Sequence, residues 1–369
     1  MMGIEPKAKK TREKLSNSLL LFIIAIVFFV ILYGTGLLTL GDKGFLDNAG
    51  AFKWKNLFDI FNEYSALIIV SLGLTIVMIT GGIDISVAGV VAFADMASVE
   101  YLNNGGTILG AVLICLGIGL GFGLFQGFLI SYLNIQPFIV TMAGMFFGRG
   151  MAAVINSGGA NVTDPAFKGL MDTKITANIF QDLAGSKRKP VMVPVQIEYG
   201  VIIAIVLLIL VALLLKYTKL GRKFYAIGGN QTSALMLGCN VKLTRFLAYV
   251  ISGTLAGIAA FVYLWHVGKG KDSLQTGMEM KAIASSIIGG TMLSGGVGNV
   301  IGSFFGVMIL GTIDKIVQYS GLTNDAPYMQ TIFTGFLLCF FILLQSIILF
   351  VRGKKGTKKE KLVLEKVRE

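Results

Sequence analysis

Stretches of about 20 mostly apolar residues, enough to cross the hydrocarbon core of a bilayer, recur along this chain, among them Ser18–Leu38, Phe58–Ile79 and Phe246–His266. No other feature narrows the fold as much. In lipid every backbone N–H and C=O must find a partner within the protein, which leaves α-helices and closed β-barrels. Continuous runs of this length select helices. Charged residues make up 14% of the chain, against about 25% in ordinary soluble domains. The fold class is an all-α polytopic membrane protein.

Charge gives the orientation. The net charge of +12 is concentrated in three places and does not mark a nucleic-acid partner. Lys7, Lys9, Lys10, Arg12 and Lys14 precede the first apolar run. Lys216, Lys219, Arg222, Lys223, Lys242 and Arg245 cluster mid-chain without an acid, and Arg352, Lys354, Lys355, Lys358 and Lys359 follow the last run. By the positive-inside rule all three face the cytoplasm. About ten crossings satisfy this: Ser18–Leu38, Phe58–Ile79, Ser86–Tyr101, Ile108–Leu133, Phe138–Ile155, Tyr199–Leu215, Phe246–His266, 281–293, Val300–Tyr319 and Met329–Val351. Residues 1–16 and 352–369 are then basic cytoplasmic tails around a membrane-spanning body, 17–351. Residues 216–245 are a cytoplasmic loop. Residues 157–198, with five basic and four acidic residues, are an extracytoplasmic loop. The first run is too long for a signal-peptide core and reads as a retained span.

Two glycine breaks interrupt the pattern. Gly81-Gly82-Ile83-Asp84-Ile85-Ser86 ends one run, and Gly289-Gly290-Thr291-Met292-Leu293-Ser294 ends another with the same Gly-Gly-x-x-x-Ser spacing. A polar break at membrane depth is tolerated only against protein or a watery cavity. Broken helices at matching places are a pointer to a transport site. The echo predicts a weak internal inverted repeat with short, broken helices. Asp84 or Ser86 is placed to cap the following helix, and Asp84 is also placed to face a pathway. Asp95, eleven residues on, returns to nearly the same helical face; Arg149 is the cation expected to pair with it. Gly117, Gly119, Gly121, Gly123 and Gly127 suit close helix packing, and Gln126 suits either an interhelical bond or the pathway. In the basic loop Asn230 can cap a short helix and Gly238 can end it, for docking to a soluble partner or lying on lipid.

Catalysis and cofactor binding find no support. The chain has one histidine and three scattered cysteines, no P-loop pattern, and no nucleophile–base set, so no cofactor and no metal site are expected.

Four ordered stretches together carry a resemblance: Gly81–Val87; Gln126-Gly127 with Pro137–Thr141 and Arg149-Gly150; Gly221–Gly238; and Ala282–Gly298. Over about residues 60–350 the sequence resembles the permease subunits of bacterial ABC monosaccharide importers of the ribose and galactose/methyl-galactoside type. The resemblance implies a dimeric pore, homo- or heteromeric, in the plasma membrane. It implies an extracytoplasmic sugar-binding protein and a separate cytoplasmic ATPase. It marks Gly228, Gly229, Asn230, Ala234 and Gly238 as the ATPase-coupling segment. The sequence departs from the family pattern at Ala88, Gln126, Leu237, Cys239 and Lys281. The expected pathway residues are Asp84, Ser86, Gln126 and Ser294, beside the helix-breaking Gly81, Gly82, Gly289 and Gly290. The cargo expected is a monosaccharide. Nucleosides, autoinducer-like sugars or branched-chain amino acids are alternatives for the same machinery, and an ion-coupled transporter using Asp84 and Asp95 is a rival from another class.

Overall fold

The computed structural model describes residues 54–177 and 195–319 continuously, with shorter stretches within 23–34 and 329–347 and at 181–183 and 190–192. Both expected tails and much of the first and last expected crossings lie outside the described residues. Twelve helices can be labelled among those described: α1 (Trp54–Ile79), α2 (Val87–Asn103), α3 (Ile108–Ser131), α4 (Pro137–Asn156), α5 (Pro165–Asp172), α6 (Tyr199–Tyr217), α7 (Lys219–Gly229), α8 (Gln231–Met236), α9 (Val241–Val267), α10 (Met278–Ile288), α11 (Val300–Tyr319) and α12 (Thr331–Leu344). Six of them, α1, α3, α4, α6, α9 and α11, are long and apolar enough to cross a membrane. The two short expected crossings are helices of 17 residues, α2, and 11 residues, α10.

Helix α1 is the axis of the bundle. Its apolar window is 89% buried, against 22% for α3 and 28% for α4 and α6, and it packs on α9, α10, α11 and α6. The outer faces of α3 and α4 expose Leu113, Leu120, Phe125, Phe146 and Val154, as lipid-facing surfaces do. Some boundaries differ from expectation. Helix α9 begins at Val241 rather than Phe246, because Asn240 caps it by accepting the Leu243 N–H at 3.0 Å and its first turn carries Lys242 and Arg245. Hydropathy misses a polar first turn. Helix α10 stops at Ile288, five residues early, where Gly290 takes φ +90°.

The glycines of α3 divide by face. A Cβ at Gly119 would stand 2.3 Å from Gly253 O, and one at Gly257 of α9 would stand 2.4 Å from Cys115 O; Gly117 and Gly121 face open space. Spacing of four residues on both helices lets the two backbones touch, the small-xxx-small mode of membrane helix packing. A second seam is made of hydroxyls. Ser71 Oγ bonds Ser285 Oγ at 2.9 Å, and Thr75 Oγ1 bonds Ser286 Oγ at 3.0 Å and Ser303 Oγ at 2.7 Å. It ties α1 to α10 and α11 with no charge.

One end of the bundle carries small sheets. β1 (Ala160–Asn161) pairs with β6 (Lys269–Gly270), β2 (Lys174–Ala177) with β5 (Val195–Glu198), and β3 (Gln181–Leu183) with β4 (Pro190–Met192). The described parts of the long loop therefore include short strands. Asn62 of α1 splices onto β5, donating to Gln196 O at 2.9 Å and accepting the Glu198 N–H at 3.0 Å. Glu198 holds His266 at 2.7 Å and Lys174 at 3.1 Å. Burial pushes its carboxyl upward, but the hydrogen bond and charge of His266, with Lys174, outweigh this and hold it below the usual carboxylate value.

The opposite end carries the basic helices α7 and α8. Both glycine breaks lie here. Segments α1–break–α2 and α10–break–α11 each run to this end and return, so they share one orientation. The inverted relation expected from the echo is corrected: breaks related by inversion would sit at opposite ends, and these touch.

Candidate functional site

At the end of α1, Gly81 adopts φ +83° and Gly82 N–H closes the helix on Val77 O at 3.1 Å. The left-handed turn needs glycine at 81. At Gly82 a Cβ would stand 2.4 Å from Tyr249 Oη, and that hydroxyl donates to Ile83 O at 3.3 Å. The chain then passes through Asp84 without regular structure and enters α2.

Asp84 is buried and fully bonded. Its Oδ1 accepts from the Ser86 N–H at 3.1 Å and the Ser86 hydroxyl at 2.6 Å, and its Oδ2 accepts from Ser252 Oγ of α9 at 2.7 Å. Neither Asp84 nor Ser86 is a side-chain cap in the expected sense. Ser86 holds the cap position with helical φ −67° and ψ −19° and makes no capping bond, because its hydroxyl is committed to Asp84. The carboxylate instead fastens the break to α9. Gln126 of α3 reaches the same region. A Cβ at Gly144 of α4 would stand 2.2 Å from Gln126 Nε2 and 3.3 Å from Ser86 Cβ, so the missing side chain lets α2, α3 and α4 converge. Gln126 Nε2 is buried with no hydrogen-bond partner among the described residues, a donor whose desolvation is uncompensated. The structure thus brings Asp84, Ser86 and Gln126 together. It adds Ser252, Tyr249 and Gly144, which sequence reasoning missed because nothing local distinguishes them.

Ser294 stands apart from these three. It is exposed, in the second break, with its carbonyl 4.0 Å from the Cβ position of Gly81. There three glycine segments meet. Gly296 N–H donates to Ile79 O at 2.8 Å. A Cβ at Gly295 would stand 2.8 Å from Gly81 Cα, one at Gly228 would stand 1.8 Å from Ile79 O and 2.4 Å from Gly296 N, and one at Gly296 would stand 2.6 Å from Gly229 Cα. Gly289 serves another contact, the approach of α10 to Gly302 on α11.

Helix α8 hangs from this junction. Asn230 caps it by accepting the Ser233 N–H at 2.8 Å, and Gly238 ends it at φ +78°, both as the residues predict. Ala234 is its buried anchor, packed with Ile227 and Val241. Leu235, Met236 and Leu237 are 62%, 83% and 82% exposed, beside a cleft of about 410 Å³ lined by Leu235, Gly238, Cys239, Asn240, Val241 and Lys242.

The expected Asp95–Arg149 pair does not form. Asp95 accepts from Gln275 Nε2 at 2.6 Å, and Arg149 pairs with Glu279 at 3.3 Å. The cause is helix rotation. Helix α4 packs on the Gly89 face of α2, and six residues separate Gly89 from Asp95, about 240° around the helix. Lys281, the charge departure noted in the sequence, is matched by Asp314 at 2.7 Å; Tyr64 also donates to that carboxylate.

A family model described as branched-chain amino acid transport system / permease component matches residues 56–342. The chain is 32% identical to the fructose import permease protein FruG of Bifidobacterium longum, over 95% of this chain and 97% of that one. It is 29% identical to the ribose import permease protein RbsC of Escherichia coli, over 80% and 87%. It is 34% identical to the autoinducer 2 import system permease protein LsrC of an Enterobacter strain, over 73% and 74%. No solved structure matches the chain.

Proposed function

Since the chain belongs to the family of branched-chain amino acid transport system / permease components, we propose that it is the membrane-spanning subunit of an ATP-driven monosaccharide importer in a bacterial plasma membrane. Ten crossings place both termini and the basic helices α7 and α8 in the cytoplasm and the sheet-bearing end outside. The ATPase is a partner subunit that docks on α8. An extracytoplasmic sugar-binding protein docks on the sheet-bearing end, and a second permease chain, identical or related, completes the pore. Asp84, Ser86 and Gln126 line the closed route.

The glycine junction is the observation that carries this reading. A short helix with an exposed apolar tip is joined, backbone against backbone, to both helix breaks, one of which leads straight to Asp84. A push on α8 therefore reaches the polar break without passing through flexible side chains. The names of the relatives support a sugar as cargo, since fructose and ribose permeases both lie within reach of this sequence.

Reconstitution with the ATPase and binding protein tests the reading. ATP-dependent uptake of a monosaccharide is expected. Uptake that needs no ATPase and follows a proton or sodium gradient overturns it. Asp84→Ala should slow uptake while ATPase assembly persists, because it removes the acceptor of three hydrogen bonds at the break without touching α8. The autoinducer 2 relative favours one second reading, an autoinducer-like sugar as cargo, which the same uptake assay decides.

A further inference from the structure

A second polar site lies nearer the sheet-bearing end. Asp95 is 0% exposed and Gln275 is 2% exposed. Gln275 lies in the connection between β6 and α10, and its Nε2 donates to Asp95 Oδ2 at 2.6 Å. That bond leaves Asp95 Oδ1 and Gln275 Oε1 both buried without a hydrogen-bond partner among the described residues. A carboxylate oxygen and an amide oxygen with no donor, in a water-poor interior, amount to a standing demand for hydroxyl or N–H groups.

The strand β6 that leads into the connection lies close against α2 beside Asp95. A Cβ at Gly270 would stand 3.1 Å from Met96 Cα and 3.4 Å from Asp95 O. Met278 N–H donates to Gln275 O at 3.0 Å, and Gly277, at φ +85°, turns the chain into α10. Just beyond, Glu279 holds Arg149, whose Nε is also buried without a partner. The short stretch Gln275–Lys281 thus contacts α2, α4 and α11 through polar side chains, and it leaves two acceptors and one donor unfilled.

The ligand chemistry follows from these groups. A hard cation takes six or more oxygens, and no group of three or more His, Cys, Asp or Glu gathers among the described residues. Adjacent hydroxyls of a sugar fit better, one donating to the carboxylate and one to the amide. We propose that Asp95 and Gln275 form a hydroxyl-binding subsite for the passing monosaccharide, on the outer side of Asp84 and Gln126, covered at rest by the 271–277 connection. This rests on the permease reading. In the closed state Gln275 Nε2 occupies Asp95 Oδ2, and lifting the connection exposes both side chains to cargo arriving from the binding protein.

A chemical double-mutant cycle tests it. The full complex, with its ATPase and binding protein in liposomes, is assayed at saturating D-fructose, D-ribose and D-galactose, each beside its monodeoxy analogues. Wild type is compared with Gln275→Ala and Asp95→Asn. The variant-to-wild-type ratio for each sugar cancels the selectivity of the binding protein. For one hydroxyl the two deletions should be non-additive by about three- to tenfold, the scale of one hydrogen bond. Cycles additive within about twofold for every hydroxyl of a transported sugar overturn the subsite and assign the pair a purely structural role. If Asp95→Asn does not insert, the Gln275→Ala cycle decides, since that residue sits outside a helix. A wild type that moves none of the sugars overturns them as cargo and with them this subsite, whereas a transporting wild type with additive cycles overturns the subsite alone and leaves the permease reading standing.

Discussion

Replacing Gly228 by alanine places a methyl carbon inside an existing hydrogen bond. The Cβ would stand 1.8 Å from Ile79 O and 2.4 Å from Gly296 N, atoms that bond each other at 2.8 Å. Ordinary carbon–oxygen contact begins near about 3.3 Å, so Ile79 O must retreat by about 1.5 Å and the bond must open. Overpacking of a well-filled site costs about 1–3 kcal/mol, and the lost bond about 0.5–1.5 kcal/mol more. The sum is about 1.5–4.5 kcal/mol. Gly229→Ala is the internal control, because its Cβ meets nothing within 4 Å. Thermal unfolding of the purified chain in detergent should show Gly228→Ala melting about 2–6 °C below Gly229→Ala. In the reconstituted complex Gly228→Ala should also lower sugar uptake per ATP hydrolysed, since the altered contact joins α8 to the α1 break. Equal melting temperatures and equal coupling for the two variants would refute the junction as a mechanical link.

Other consequences are open to test. Gly119→Leu should prevent close packing of α3 on α9 and reduce the yield of monodisperse protein severalfold, whereas Gly121→Leu, which faces open space, should purify like wild type in size-exclusion runs. Met236→Asp and Leu237→Asp should leave the melting temperature unchanged, because both side chains are more than 80% exposed, and should abolish co-purification of the ATPase; retained assembly would argue against α8 as the docking point. Glu198 contributes a pH dependence of known sign. Its folded-state value lies below the usual 4.5, so the stability it contributes is fully present above about pH 4.5 and is lost as pH falls through the lower folded value. Melting temperature should therefore drop less between pH 6 and pH 3.5 in Glu198→Gln than in wild type.

Much of the architecture is legible in the chain because bilayer thickness and backbone satisfaction leave few choices. Long apolar runs became α1, α3, α4, α6, α9 and α11, and Asn230 and Gly238 bounded α8 as their local chemistry dictates. The breaks at Gly81 and Gly289 are equally local signals. Partner choice is not local. Asp95 met Gln275, 180 residues away, because helix rotation turned it from Arg149, and rotation depends on packing that no single stretch encodes. Ser252 looks like any helical serine until α9 is set beside the break. The sheets of the 157–198 loop were hidden for another reason. Their strands are two to four residues long, too short for alternation to register.

The charge arrangement on α10 bears on the electrical character of transport. Its first turn carries one acid, Glu279, and one base, Lys281, each neutralised by a neighbour, and the hydroxyls of Ser285 and Ser286 bond Ser71 and Thr75 of α1. A single uncompensated charge moved across the full membrane potential would exchange about 2.3 kcal/mol per 100 mV. Helix α10 carries no net charge, so its displacement along the bilayer normal does no electrical work. A displacement of α10 by itself is therefore electrically silent and adds no voltage dependence of its own.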